Sequence, residues 1–177
     1  MIYTVEAALD GDESEIEWEL WYHHMKPPHV ILTVPGVHSA QRFESVSIRP
    51  KQYFAIYGVE SLEVMESAAY RQAGGGRFQT ETWMPRISLW NRDLVDGFSE
   101  APQVPLDRYL VVADGDEPVE SPHGIPFQWG RTVALDRSTR WRGFAVLKPD
   151  ALAMVQPRIS EKFRLFRPRT VIHYPVA

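Results

Sequence analysis

The chain has 177 residues, 44% of them hydrophobic, with six Trp, seven Tyr, eight Phe and no cysteine. The formal net charge is −4 and no basic stripe runs along the sequence, which argues against a nucleic-acid partner. Lack of cysteine excludes disulfides, thiol nucleophiles and zinc ribbons, and the length suits one compact domain or two small fused halves.

Met1 leads directly into an apolar stretch with no basic leader and then meets Asp10, Asp12 and Glu13. No signal peptide is expected from this. No apolar run approaches the roughly 20 residues that a membrane-crossing helix needs. The expectation is a cytoplasmic protein without a membrane partner.

Ile2 to Leu9 is rich in β-branched and aromatic residues and reads as a strand. Asp10-Gly11-Asp12 is a turn, and Asp12 with Glu15 has capping-box spacing. Ile16, Leu20 and Met25, with Trp18, Trp21 and Tyr22, predict a helix with a broad apolar face. Pro27-Pro28 stops it, because proline lacks the amide hydrogen and clashes with the preceding turn. Pro35-Gly36 then turns the chain into a second strand, Val37 to Ser47, which ends before Pro50. Gln52 to Val59 is a third strand, Ser61 to Arg71 a short helix, and Trp83 to Asn91 a fourth strand. The order β-α-β-β-α-β is that of a ferredoxin-like unit. Gly74-Gly75-Gly76 is a loop without the Lys-Ser/Thr of a phosphate loop.

Leu94 to Asp107, with Gly97, Pro102 and Pro105, reads as a linker. Beyond it the pattern partly repeats. Phe54-Ala55-Ile56-Tyr57 matches Phe144-Ala145-Val146-Leu147, and Leu62 with Val64-Met65 matches Leu152 with Met154-Val155. Tyr3-Thr4-Val5 resembles Tyr109-Leu110-Val111, and Pro85-Arg86 resembles Pro168-Arg169 before a strand at Thr170 to Pro175. A degenerate duplication follows, with halves at 1–93 and 108–177 joined by 94–107. Residues 114–130 hold three prolines and predict an irregular loop in place of the long helix.

Trp21-Tyr22, Pro28, Pro35-Gly36-Val37 and Ala40-Gln41-Arg42-Phe43 follow the pattern W-Y-x-x-x-H-x-P, spacer, P-G-[VF], A-x-R-[YF]. Through these residues the chain resembles the EthD-like and related members of the dimeric α+β-barrel superfamily. Tyr53 to Tyr70 also looks like that group's third strand and second helix, so the resemblance covers residues 1 to about 93. It implies an α+β protein whose tandem ferredoxin-like halves form an antiparallel-sheet barrel, closed within one chain or by homodimerisation. It also implies cofactor-free monooxygenase, isomerase or lyase chemistry, haem binding, or binding without turnover. The histidine of the pattern is Lys26 here, and His23 and His24 lie just before it.

In such a fold one sheet face carries helices and the other faces the barrel, so strand alternation sorts the side chains. Val37 and Phe43 suit the helix side, leaving His38 and Arg42 inward. Ile87 and Leu89 suit the helix side, leaving Arg86, Ser88 and Trp90 inward; Ile172 packs outward and His173 points in. The expected site is a barrel cavity with His38 or His173 as base and Arg42 or Arg86 as anion clamp. Tyr53, Tyr57, Trp83 and Trp90 serve as aromatic walls and His23 and His24 as further contacts. The chemistry is proton transfer on a small aromatic or enolisable acid, with no cofactor. A metal is disfavoured because adjacent helical histidines diverge by about 100° and no metal-ligand spacing is present. Haem on His173 is the alternative that the resemblance adds.

Overall fold

The computed structural model describes residues 1–10, 15–25, 28–46, 48, 51–74, 83–119, 124–151 and 163–176. Eight strands are present: β1 (Ile2–Leu9), β2 (Val37–Ser45), β3 (Gln52–Val59), β4 (Ile87–Asp96), β5 (Tyr109–Gly115), β6 (Gln128–Leu135), β7 (Trp141–Leu147) and β8 (Phe163–Pro168). The helices are α1 (Glu15–Met25), α2 (Pro28–Ile31), α3 (Leu62–Glu66) and α4 (Ala68–Gln72). The strands close into a barrel in the order β1-β3-β2-β8-β5-β7-β6-β4, and every pairing is antiparallel.

Each half has the same internal order, β4-β1-β3-β2 and β8-β5-β7-β6. The tandem ferredoxin-like barrel expected from the sequence is what forms. It closes within one chain, through β2 against β8 and β4 against β6, so no sheet edge is left open. Among the described residues no helix is long and apolar enough to cross a membrane.

Several local expectations are corrected. The helix read from Ser61 to Arg71 is two short pieces, because Ser67 accepts from Tyr70 N (3.0 Å) and caps α4 afresh. The last strand lies at Phe163–Pro168, while Thr170 to Pro175 contributes only a single bridge, Ala40 to His173. Residues 152–155, expected to be helical, lie outside the described residues. The stretch read as a linker gives Leu94 to Asp96 to β4. Phe98 and Val104 then fold back into the barrel core, where the Gln41 side chain brackets Val104 through its carbonyl (2.6 Å) and amide (3.2 Å). In α1 it is Trp18 that is buried, whereas Ile16 and Leu20 are exposed.

Two apolar layers result. Inside the barrel Ile2, Phe43, Phe54, Val95, Phe144 and Phe166 pack together, with Phe54 and Phe166 centroids 5.2 Å apart. Outside it, Tyr3, Val5, Ala55, Tyr57 and Leu94 meet α3 and α4, while Ala7, Leu9 and Tyr53 meet Trp18 of α1. β1 is therefore buried on both faces, which is why its sequence is nearly continuous in apolar residues. Gly130 is required where β6 crosses β4: a Cβ there would lie 2.3 Å from Asp96 O.

Candidate functional site

Strand parity differs from the sequence expectation, and one cause accounts for both errors. The β2–β3 register shifts between Val37 and Ser39, and the β1–β4 register shifts between Ala8 and Leu9. A bulge adds one unpaired residue and reverses every side chain beyond it. Val37 faces the helices as expected, but so do Ala40 and Arg42, while Gln41 and Phe43 enter the barrel. Ile87 faces the helices as expected, yet Leu89 lines the barrel mouth and Trp90 packs on the helix side. His173 lies directly opposite Ala40 and so shares its outward face, and Ile172 turns toward the barrel end.

The proposed residues are thus not gathered inside the barrel. His38, exposed at the bulge, lines a separate cavity of about 370 Å³ at one barrel end with Gln41, Glu100 and Tyr174. Arg86 is exposed and pairs with Glu17 of α1 at 3.1 Å. The side chains of His23 and His24 lie outside the described residues. Five of the others do converge, but between α1 and the first-half sheet. Trp83, Tyr53 and Trp90 pack in one layer around Trp18, and Tyr57 and Trp90 continue it toward Arg42.

Trp18 sits at the centre, 5.1 Å from Tyr22, 5.2 Å from Trp21, 5.3 Å from Trp83 and 5.9 Å from Tyr53. Arg42, 4% exposed, lies with its guanidinium 3.8 Å over the Tyr22 ring and donates to the Tyr22 carbonyl at 2.9 Å. It has no carboxylate partner among the described residues, and its Nε has no hydrogen-bond partner. The Tyr53 hydroxyl is also buried and unpartnered. Burial, then the carboxylates of Glu19, Glu15 and Glu44, push the Tyr53 phenol well above its ordinary range. Burial raises Tyr57 likewise, against the pull of Arg42. Both phenols are neutral donors at physiological pH. A crevice of about 10 Å³, room for about one water, lies between Glu19, Tyr22, Arg42, Tyr53 and Arg169.

α1 is tied across this layer by pairs of its acids with cations that flank the strands, Glu15–Lys51 (2.7 Å), Glu17–Arg86 (3.1 Å) and Glu19–Arg169 (2.9 Å). Such partly exposed pairs are each worth about 0–1 kcal/mol and weaken with salt.

The sequence reading missed a second polar cluster, inside the barrel. Arg142, 1% exposed, bridges Glu6 (2.7 Å), Asp93 (3.2 Å) and Asp114 (2.7 Å) and donates to Thr4 Oγ1 (2.9 Å). Arg164 pairs with Glu6 (2.8 Å) and with Asp114. Burial alone would raise the Glu6 pKa, but Arg142 and Arg164 outweigh it and hold the carboxyl below its ordinary value. Asp114 is engaged by two arginines. The available signal was a polar or charged residue at every second place of an apolar strand: Thr4 and Glu6 in β1, Arg142 before Phe144, Arg164 before Phe166.

No family model matches the sequence, and no curated protein matches it. Solved structures do. A candidate chlorite dismutase has 13% identity and a TM-score of 0.51, with 96% of this chain and 95% of that chain covered. A candidate monooxygenase from Lactobacillus acidophilus has 7% identity and a TM-score of 0.52, with 98% and 96% covered. At these identities the likeness is one of fold, and over nearly its whole length the chain shares the ferredoxin-like α+β-barrel architecture.

Proposed function

We propose that the protein binds a small aromatic or enolisable carboxylic acid between α1 and the first-half sheet and moves a proton on it by side-chain chemistry alone, as a lyase, isomerase or oxygenase of the EthD-like kind. The observation that carries this reading is the missing counter-ion of Arg42. Buried charges are ordinarily paired, and among the described residues this guanidinium has only neutral partners, the Tyr22 ring and carbonyl and the Tyr57 side chain. A carboxylate would complete it through Nε, the Tyr53 and Tyr57 hydroxyls would donate to the same anion, and the tryptophans would wall the aromatic part. His173 shares the outward face with Arg42, whose Cα is a diagonal neighbour at about 7–8 Å, and it is assigned the proton. The crevice has room for about one water, so entry of such an acid requires α1 to lift, and the salt-sensitive pairs along α1 are what would yield.

The test uses tryptophan fluorescence with phenylacetate, phenylpyruvate and neutral phenylacetamide. Saturable quenching is expected with the two acids and not with the amide. Arg42→Met should weaken acid binding by at least about 30-fold, the loss of roughly 2 kcal/mol for a desolvated charge pair. Equal binding of acid and amide, or no binding of either, ends the reading. Solvent deuterium exchange into phenylpyruvate followed by NMR separates turnover from binding. Exchange lost in His173→Ala supports the enzyme; binding without exchange leaves a ligand-binding barrel.

A further inference from the structure

The charged end of the barrel opens into a basin of about 790 Å³ that plays no part in the crevice described above. Five arginines line it, Arg131, Arg137, Arg140, Arg142 and Arg164, against three carboxylates, Glu6, Asp114 and Asp116. The floor is electrostatically complete, because Arg142 and Arg164 are engaged by Glu6, Asp93 and Asp114. The rim is not. Arg131, Arg137 and Arg140 are exposed, and among the described residues none of them has an acid partner.

The β6–β7 turn that carries Arg137 and Arg140 is held firmly. Asp136 accepts from the Arg92 amide (2.8 Å), and the Ser138 amide donates to Asp93 (2.8 Å). Below the rim lies a second, independent feature. Thr132 is only 8% exposed and lines the basin, yet among the described residues its hydroxyl has no hydrogen-bond partner. A buried hydroxyl left unpaired is a cost to the fold that a ligand atom would relieve.

The geometry points to a binding site for a compact, multiply charged oxyanion, a dicarboxylate or a phosphate, held at this rim. Arg131, Arg137 and Arg140 offer planar forks that match such oxygens two at a time, and Thr132 donates from beneath. A cation does not fit, because the floor carboxylates already have their counter-ions and at the rim three arginines without an acid partner outnumber the one exposed carboxylate, Asp116. An extended polyanion does not fit either, since Asp114 and Asp116 flank the arginines and the chain as a whole carries −4.

Isothermal titration calorimetry of the full chain with malonate and with inorganic phosphate, at ionic strength held constant with chloride, tests the site. Saturable binding of either anion is expected, and the tighter of the two identifies the ligand's head group. The double variant Arg137→Ala/Arg140→Ala changes only exposed side chains and should weaken that binding by about tenfold or more. Thr132→Val should weaken it by a smaller factor, while Arg42→Met should leave it unchanged. Absence of saturable binding by both anions overturns the inference. So does a double variant that keeps its fold by circular dichroism and binds as tightly as the parent.

Discussion

Two buried arginines stand in opposite layers of this molecule. Arg142, inside the barrel, meets three carboxylates and two hydroxyls drawn from β1, β4, β5 and the β6–β7 turn. Arg42, in the helix layer, meets an aromatic face, one carbonyl and the Tyr57 side chain, all neutral. Both are nearly inaccessible, at 1% and 4% exposure, so solvent does not make up the difference. The barrel charge is fully answered by its own chain and ties the two halves together. The helix-layer charge is answered incompletely, in an aromatic setting with an unpartnered phenol beside it. One arrangement has the character of a structural cross-link, and the other that of a site waiting for an anion.

The sharpest way to break this comparison is to delete each guanidinium in turn. Arg142→Met strands Asp93 without its counter-ion and leaves Glu6 to Arg164 alone, and urea unfolding should show a loss of about 3–5 kcal/mol. Arg42→Met strands no carboxylate. It removes a stacking contact and a hydrogen bond but also a desolvated charge, and its expected cost is under about 1 kcal/mol. Equal losses would mean that Arg42 is as structural as Arg142.

Acid should act on the barrel layer through Glu6. The Glu6 carboxyl is held below its ordinary value, 4.5, by Arg142 and Arg164. Its contribution is therefore complete above that pH and disappears as pH falls through the lower, folded-state value. Parent stability should drop steeply below pH 4.5. Glu6→Gln should start lower at neutral pH and show a shallower decline. Parallel curves for the two proteins would place the acid-sensitive group elsewhere.

The sequence exposes the architecture better than the site, for physical reasons. The β-α-β-β-α-β order and the echo of Phe54-Ala55-Ile56 at Phe144-Ala145-Val146 are carried by many residues each, and they predict the closed barrel. Inward and outward assignment depends on single residues. One bulge after Val37 and one near Leu9 are enough to send Arg42 and Trp90 to the other face, and a bulge has no reliable sequence mark when no glycine announces it. Arg42, Tyr53, Tyr57, Trp83 and Trp90 nevertheless lie in one layer, while His38 and Arg86 are separated from them. The Glu6–Arg142–Asp93 cluster joins strands from both halves, with Glu6 and Arg142 separated by 136 positions. Only the closed barrel brings them into contact.

The smallest effect tests the finest part of the comparison. The Tyr53 hydroxyl is buried without a partner, so it contributes desolvation cost and no bond to the free protein. Tyr53→Phe should therefore leave stability unchanged or raise it by up to about 1 kcal/mol, in contrast to a phenol whose bond is intact. The Tyr70 hydroxyl, which donates to Tyr3 at 2.8 Å, supplies that control: Tyr70→Phe should cost about 1 kcal/mol. Carboxylate binding should move the other way, because a hydrogen bond to a charged group is worth about 1.5–3 kcal/mol and Tyr53→Phe removes it. A gain in stability together with a loss of phenylacetate affinity is the signature of a donor held ready for a ligand. If Tyr53→Phe instead destabilises the protein as much as Tyr70→Phe and leaves the affinity unchanged, the hydroxyl belongs to the fold, and the aromatic layer is only a core.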